Sequence, residues 1–342
     1  MSDKLRSLSG IKPTGTPHLG NYLGMIKPAI QLQATHQTFY FIADYHALTN
    51  LREPESLREY TYDLTATFAA LKMNFENNAF FRQSDIPEVT ELTWILSCLT
   101  SKGLMERAHA FKDAQTKGQE VNMGLFSYPI LMAADILIYD SNSVPVGRDQ
   151  KQHLEITRDL AMRFNHLYGE TLVVPEALIE DQVAVIPGLD GQKMSKSYDN
   201  IIPLFANEKT LRKAIMKIET DSRTVEEAKV PEECNVYKLY CCFASDQQLQ
   251  ELAGRYRTGG MGYGEAKQVC FEAIRDELKE ATEVYQRIRD DRDYLEGILE
   301  AGRDNARRVS RQVIGRVRER VGLRKNLESG PCFFDRLKAE LS

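Results

Sequence analysis

The sequence predicts an α/β fold: a parallel sheet with helices on both faces, followed by an all-α C-terminal part. Three observations predict it. Up to about Pro203, short apolar runs bounded by turn residues alternate with stretches of helical periodicity, the pattern of strands joined by helical crossovers. Gly10, Asp44 and Gly147 each lie just past a candidate strand, so polar and flexible groups collect beyond the strand ends, as in Rossmann-like sheets. After Pro203 only helical periodicity remains. We expect a Rossmann-like unit over 1–203 and a helical unit over 204–342.

Taken in order, Ser7-Leu8-Ser9 reads as a strand ending at Gly10, and the Gly/Pro/Thr run after it as a loop. Met25, Ile26, Ile30 and Leu32 then recur at helical spacing, with Asn21 near the helix start. The run 38–44 is a buried strand, 57–71 a helix, and 79–82 a second strand. Helices are expected over 91–99 and 128–139, a short strand over 144–146, and an amphipathic helix over 154–168 closed by Gly169. Helices over 208–218, 235–243, 246–257 and 264–301 follow, then a basic helix from Arg303 to Lys325. Gly259 to Gly264 reads as a linker between helices rather than a phosphate loop.

With 342 residues, 42% of them hydrophobic and 27% charged, the chain can bury one large core or two moderate ones. It has no run of about 18 apolar residues, so no membrane span is expected. The first residues lack a signal-peptide pattern, and the expected compartment is the cytoplasm. The net charge of −5 does not advertise nucleic-acid binding, but Arg303, Arg307, Arg308, Arg311, Arg316, Arg318, Arg320, Arg324 and Lys325 concentrate positive charge late in the chain. That stretch reads either as a solvated helix packed on the molecule or as a face that tracks phosphates. Cys98, Cys234, Cys241, Cys242, Cys270 and Cys332 form no C-x-x-C pair, so no zinc site is expected.

Two segments carry chemistry. Lys193-Met194-Ser195-Lys196-Ser197, approached through Pro187-Gly188-Leu189-Asp190-Gly191, puts two ammonium groups on one short loop. Such a pair can clamp a polyphosphate and neutralise charge as it leaves, whereas the plain alternative is a solvated loop. His18-Leu19-Gly20-Asn21 opens a helix behind a Gly-rich loop. Backbone N–H groups there meet phosphates, Gly20 lets a purine or ribose approach, and His18 can donate to a phosphate oxygen or be an ordinary loop histidine. Asp135 is a lone acid in an apolar helical stretch, which asks for a buried donor or a structural ion pair.

Together these two segments resemble the signature pair of class I aminoacyl-tRNA synthetases. The segments from Gly20 to Gly24, Asp44 to Thr49, Tyr128 to Leu137 and Val144 to His153 resemble, in order, those of the bacterial tryptophanyl-tRNA synthetases. The resemblance runs from about Leu8 to Asn200 and continues more loosely beyond. It implies an ATP site from Lys12, Pro13, Thr14, Gly20, Asn21, Gly24, Gly147, Arg148, Asp149, Val185, Lys193, Met194, Ser195, Lys196 and Ser197, with Lys193, Lys196, Ser195, His18 and Asn21 as the catalytic groups. It implies a tryptophan pocket from Gly10, His46, Tyr128, Met132, Asp135, Ile136, Val144, Val146 and Gln150, in which Asp135 accepts the indole N–H. His46, read alone, is equally a satisfied core histidine.

The resemblance further implies a catalytic unit with a dimer-forming insertion over 1–203, anticodon recognition over 204–342, and a last helix packed back on the catalytic unit. Tryptophan, ATP, Mg²⁺, tRNA(Trp) and a second copy of the chain are the implied partners, with no metal ligand among the side chains. Some relatives carry a four-cysteine iron–sulfur site. Cys234 stands where one could begin, but Arg257, Gly264 and Lys267 occupy the later positions, so no cluster is expected. Lys12 stands where glutamine is usual, Leu8 where an aromatic is, Arg148 where an acid is, and Ala114 where many relatives have a second lysine. The tyrosine enzyme, a small nucleotidylyltransferase and a non-catalytic paralogue that senses tryptophan or tRNA are the competing readings.

Overall fold

The computed structural model describes residues 5–116, 118, 121–147, 150–178 and 186–323. Five parallel strands, β1 (Arg6–Ile11), β2 (Gln37–Ile42), β3 (Ala79–Arg82), β4 (Ser143–Pro145) and β5 (Glu176–Leu178), form one sheet in the order β3-β2-β1-β4-β5. The chain builds outward from β1 first in one direction and then in the other. That reversal opens a crevice beyond the C-terminal ends of β1 and β4, where ligands of such sheets sit. The expected α/β fold with a Rossmann-like sheet is what forms. β5 was not anticipated, because three residues behind Pro175 carry too little pattern.

β2 and β3 read as continuous apolar runs because both of their faces are covered. One core joins Leu8, Phe39, Phe41 and Phe81 to the helices Glu88–Ser97, Met123–Leu137 and Lys151–Tyr168. The same core takes Ala306, Val309, Val313 and Val317 of the helix Arg292–Arg320, so the last long helix is built into the sheet's packing. A second core holds the helical part together, through Ile215, Leu239, Tyr256, Ile274 and Leu295, and reaches back to Leu19 and Tyr22.

Two expectations need correction. The helix expected over 264–301 is two, Tyr263–Ile288 and Arg292–Arg320. Asp291 leaves the helical conformation at φ −84°, ψ 85° and caps the second helix by accepting the N–H of Tyr294 at 3.0 Å. Apolar periodicity runs on across such a break, and the cap that makes it is a single short acid. As far as Arg320, the basic stretch is therefore the second half of one helix rather than a helix of its own. Short helices Lys102–Glu106 and His109–Thr116 were also not foreseen.

Candidate active site

The N-terminal loop and the lysine loop, far apart in sequence, are stitched together by backbone. Leu19 N–H donates to the Ile202 carbonyl at 2.9 Å and Leu204 N–H to the Pro17 carbonyl at 3.2 Å. His18 caps the short helix Leu19–Asn21: its Nδ1 accepts the Asn21 N–H at 3.3 Å, and Asn21 Oδ1 accepts the His18 N–H at 3.2 Å. Because Nδ1 accepts, the imidazole is neutral and its Nε2 carries the proton. Burial, and then the charge of Lys196, push its pKa down to about 4.

Lys196 Nζ donates to the Thr14 carbonyl at 3.3 Å. Gly15 turns there with φ +117°, and a Cβ on it would stand 2.8 Å from that ammonium nitrogen. Met194 is buried, and its sulfur accepts the Gly20 N–H at 3.2 Å. Lys193, Lys196 and Ser197 stay exposed, whereas Ser195 is half-buried and its hydroxyl accepts the Ser197 N–H at 3.3 Å. Loss of hydration lowers the Lys196 pKa, and it also lowers that of Lys12 at the end of β1, although both side chains still reach solvent.

Asn200 holds the lysine loop in shape, a role not read from the sequence. Its Oδ1 accepts the Ser195 N–H at 2.8 Å, and its amide donates to Asp190 Oδ1 at 2.7 Å and to the Lys193 carbonyl at 3.1 Å. A Cβ at Gly188 would collide with that amide at 2.4 Å. An asparagine just beyond a mobile polar loop was the available signal.

On the sheet side, Asp135 projects from the helix Met123–Leu137 and is buried at 2% exposure. Burial raises its pKa, and hydrogen bonds from His46 and Gln83 oppose the rise. His46 is itself buried and its Nε2 lies 2.9 Å from Asp135 Oδ2, so the acid satisfies it, as the plain reading of a satisfied core histidine expects. Tyr128 OH bonds His153 Nε2, whose other ring nitrogen lies 3.0 Å from Gln150 Oε1. His153 thus links two expected site residues, and its place one helical turn after Gln150 was the missed clue. Leu8, Ile136 and Val144 belong to the core of the sheet, and Met132 and Val146 pack against it. A cavity of about 220 Å³ opens beside His46 and Tyr128.

Gly10 lies in β1 so close to the Phe41 ring that a Cβ would meet it at 2.5 Å. Gly24 sits in the π-helical turn Tyr22–Ile26, and Gly147 follows β4 at the crevice. Pro13 is buried beside Lys12 and Thr14. Arg148, Asp149 and Val185 lie outside the described residues, as do Arg324, Lys325 and Cys332. Cys234 and Cys270 are buried, and Cys234 Sγ lies 3.3 Å from the Tyr256 hydroxyl.

Residues 1–279 match the family model of class I tRNA synthetases (W and Y). A tryptophan–tRNA ligase of Rhodopirellula baltica is 49% identical over 320 residues, covering 94% of this chain and 100% of that one. The chain belongs to the tryptophanyl-tRNA synthetases. The Pseudomonas aeruginosa tryptophan–tRNA ligase is 48% identical over 348 residues, 95% of this chain and 77% of that longer one. A tryptophanyl-tRNA synthetase from Campylobacter jejuni, solved with ADP and tryptophan, superposes with a TM-score of 0.88 at 44% identity, over 93% of this chain and 100% of that one. An Archaeoglobus fulgidus tyrosyl-tRNA synthetase shares the fold, with a TM-score of 0.65 at 19% identity.

Proposed function

We propose that the chain activates L-tryptophan with ATP to tryptophanyl-adenylate and pyrophosphate, then transfers the tryptophanyl group to the terminal ribose of tRNA(Trp). The observation that carries this reading is the juxtaposition of the Lys196 ammonium with Thr14 and Gly15, beside a neutral His18 at a helix start. No protein nucleophile is required, since the substrate carboxylate attacks the α-phosphate itself. Catalysis is then positioning plus stabilisation of charge on the departing pyrophosphate. Lys193 and Lys196 supply the positive charge, Asn200 keeps their loop in register, and His18 Nε2–H donates to a phosphate oxygen. Among the described residues no group of three or more His, Cys, Asp or Glu side chains is placed to hold a metal, so Mg²⁺ would fit beside Thr14 and Lys196 only as a companion of the phosphates, whose charge it would neutralise.

Asp135 accepts the indole N–H, and Met132, Ile136, Val144 and Val146 wall the ring. Tyr128, His46 and Gln150 hold the α-amino and carboxylate ends. A site that pairs a buried N–H rejects phenylalanine strongly without a separate editing step. The helical half reads the anticodon, and the working form is a homodimer.

Pyrophosphate exchange into ATP, measured without tRNA for L-Trp, L-Tyr and L-Phe, tests this directly. Exchange with L-Trp alone is expected, and Lys196→Ala should abolish it while tryptophan still binds. Binding without exchange in the unaltered protein would instead make the chain a tryptophan sensor.

A further inference from the structure

Gln83 has no role in the reading above, yet it is buried at 1% exposure. It directly follows β3, at the strand end facing the crevice. Its amide nitrogen lies 2.8 Å from Asp135 Oδ1 and 2.9 Å from Oδ2, so one NH₂ group spans the carboxylate. Its own carbonyl oxygen, Oε1, is buried without a hydrogen-bond partner among the described residues. An amide turned over would aim that oxygen at the carboxylate and repel it. The side chain therefore serves Asp135 at the expense of its own satisfaction, and a buried unpaired acceptor is costly to keep.

The acceptor sites of Asp135 can be counted. Oδ2 takes both Gln83 and His46, whereas Oδ1 takes Gln83 alone. A carboxylate oxygen has two lone pairs, so Oδ1 keeps one. The geometry points to Gln83 as a specificity-determining residue: it turns the Asp135 carboxylate so that one lone pair of Oδ1 is left for the N–H of the bound amino acid. This rests on Asp135 being the indole acceptor.

The test compares pyrophosphate exchange for L-Trp and for 3-benzothienyl-L-alanine, which replaces the indole N–H by sulfur and keeps the ring shape. The proteins are the unaltered chain, Gln83→Met, the near-isosteric Gln83→Glu, and Asp135→Ala, which removes the acceptor. Losing an N–H-directed contact should lower kcat/KM for Trp by about 10- to 100-fold in both Gln83 variants, mainly through KM, and leave the analogue within about threefold. Their Trp-to-analogue ratio should therefore collapse. An equal fall for both substrates would make Gln83 merely structural and overturn the proposal. So would an unchanged ratio in the Gln83 variants when Asp135→Ala collapses it. An unchanged ratio in Asp135→Ala as well would remove the indole-acceptor reading itself.

Discussion

His18 spends one ring nitrogen on a helix cap, and that decides its charge. Nδ1 must remain an acceptor for the Asn21 N–H, and protonation would turn it into a donor facing a donor. Burial and the nearby Lys196 push in the same direction, holding the native pKa at about 4 against an ordinary 6.5. In the unfolded chain His18 takes up a proton near its ordinary value, whereas in the native protein it does not until the pH is far lower. Its contribution to stability is therefore complete above about pH 6.5 and is lost as the pH falls toward 4. Denaturation midpoints measured from pH 7 to 4 should fall less steeply for His18→Asn than for the unaltered chain. The same neutrality means that kcat/KM for ATP has no acid limb belonging to His18 near pH 6.5. A limb there that vanishes in His18→Asn would contradict the assigned tautomer.

The helix Arg292–Arg320 owes its place to one glycine. A Cβ at Gly302 would stand 1.9 Å from the Phe80 carbonyl oxygen, so the helix backbone lies directly against β3. Backbone cannot swing aside as a flexible side chain can, and overpacking of this kind costs about 1–3 kcal/mol or more. Gly302→Ala should lower the unfolding free energy from urea titration by that much. Gly297, on the same helix with nothing within 4 Å of its Cβ position, is the control. Gly297→Ala should be neutral or stabilise by up to about 1 kcal/mol through helix propensity alone. Equal effects at the two positions would show that the close approach is not what Gly302 serves. Such contacts mark the limit of reading a sequence. The apolar runs at Phe39 to Ile42 and at Phe80 and Phe81 were legible as strands because burial on both faces leaves a continuous pattern. The lysine loop was legible because its residue types are chemically improbable together. Gln83, Asn200 and His153 were not, since each acts on a residue already singled out, and its partner lies across the fold. The break at Asp291 was hidden because apolar spacing continues through it.

Over the whole molecule, charge that looked available for phosphates is largely spent on holding the chain together. Arg307 and Arg311 both reach the buried Glu88, Arg318 reaches Glu91, and Arg316 reaches Asp140. The basic half of the last helix is thus a seam that fastens it to the sheet's helices. Large apolar side chains are also left exposed. Trp94, 72% exposed on Glu88–Ser97, and Met123, 73% exposed at the start of Met123–Leu137, stand on two helices that pack together. Thr90, Thr93, Gly124 and Ser127 of the same helices line the cavity that opens at His46 and Tyr128. A second copy seated on this face would cover both aromatic and thioether and close that cavity from outside. In a two-fold interface each residue counts twice, so one charge placed there is repeated across the axis. Were the proposed homodimer to form on this face, Trp94→Asp would shift sedimentation from a dimer toward a 39.0 kDa monomer. Because the cavity adjoins His46 and Tyr128, the monomer should also bind tryptophan several-fold more weakly, read as KM at saturating ATP. A monomeric variant with unchanged KM would uncouple the face from the pocket, and a variant that stays dimeric would place the interface elsewhere.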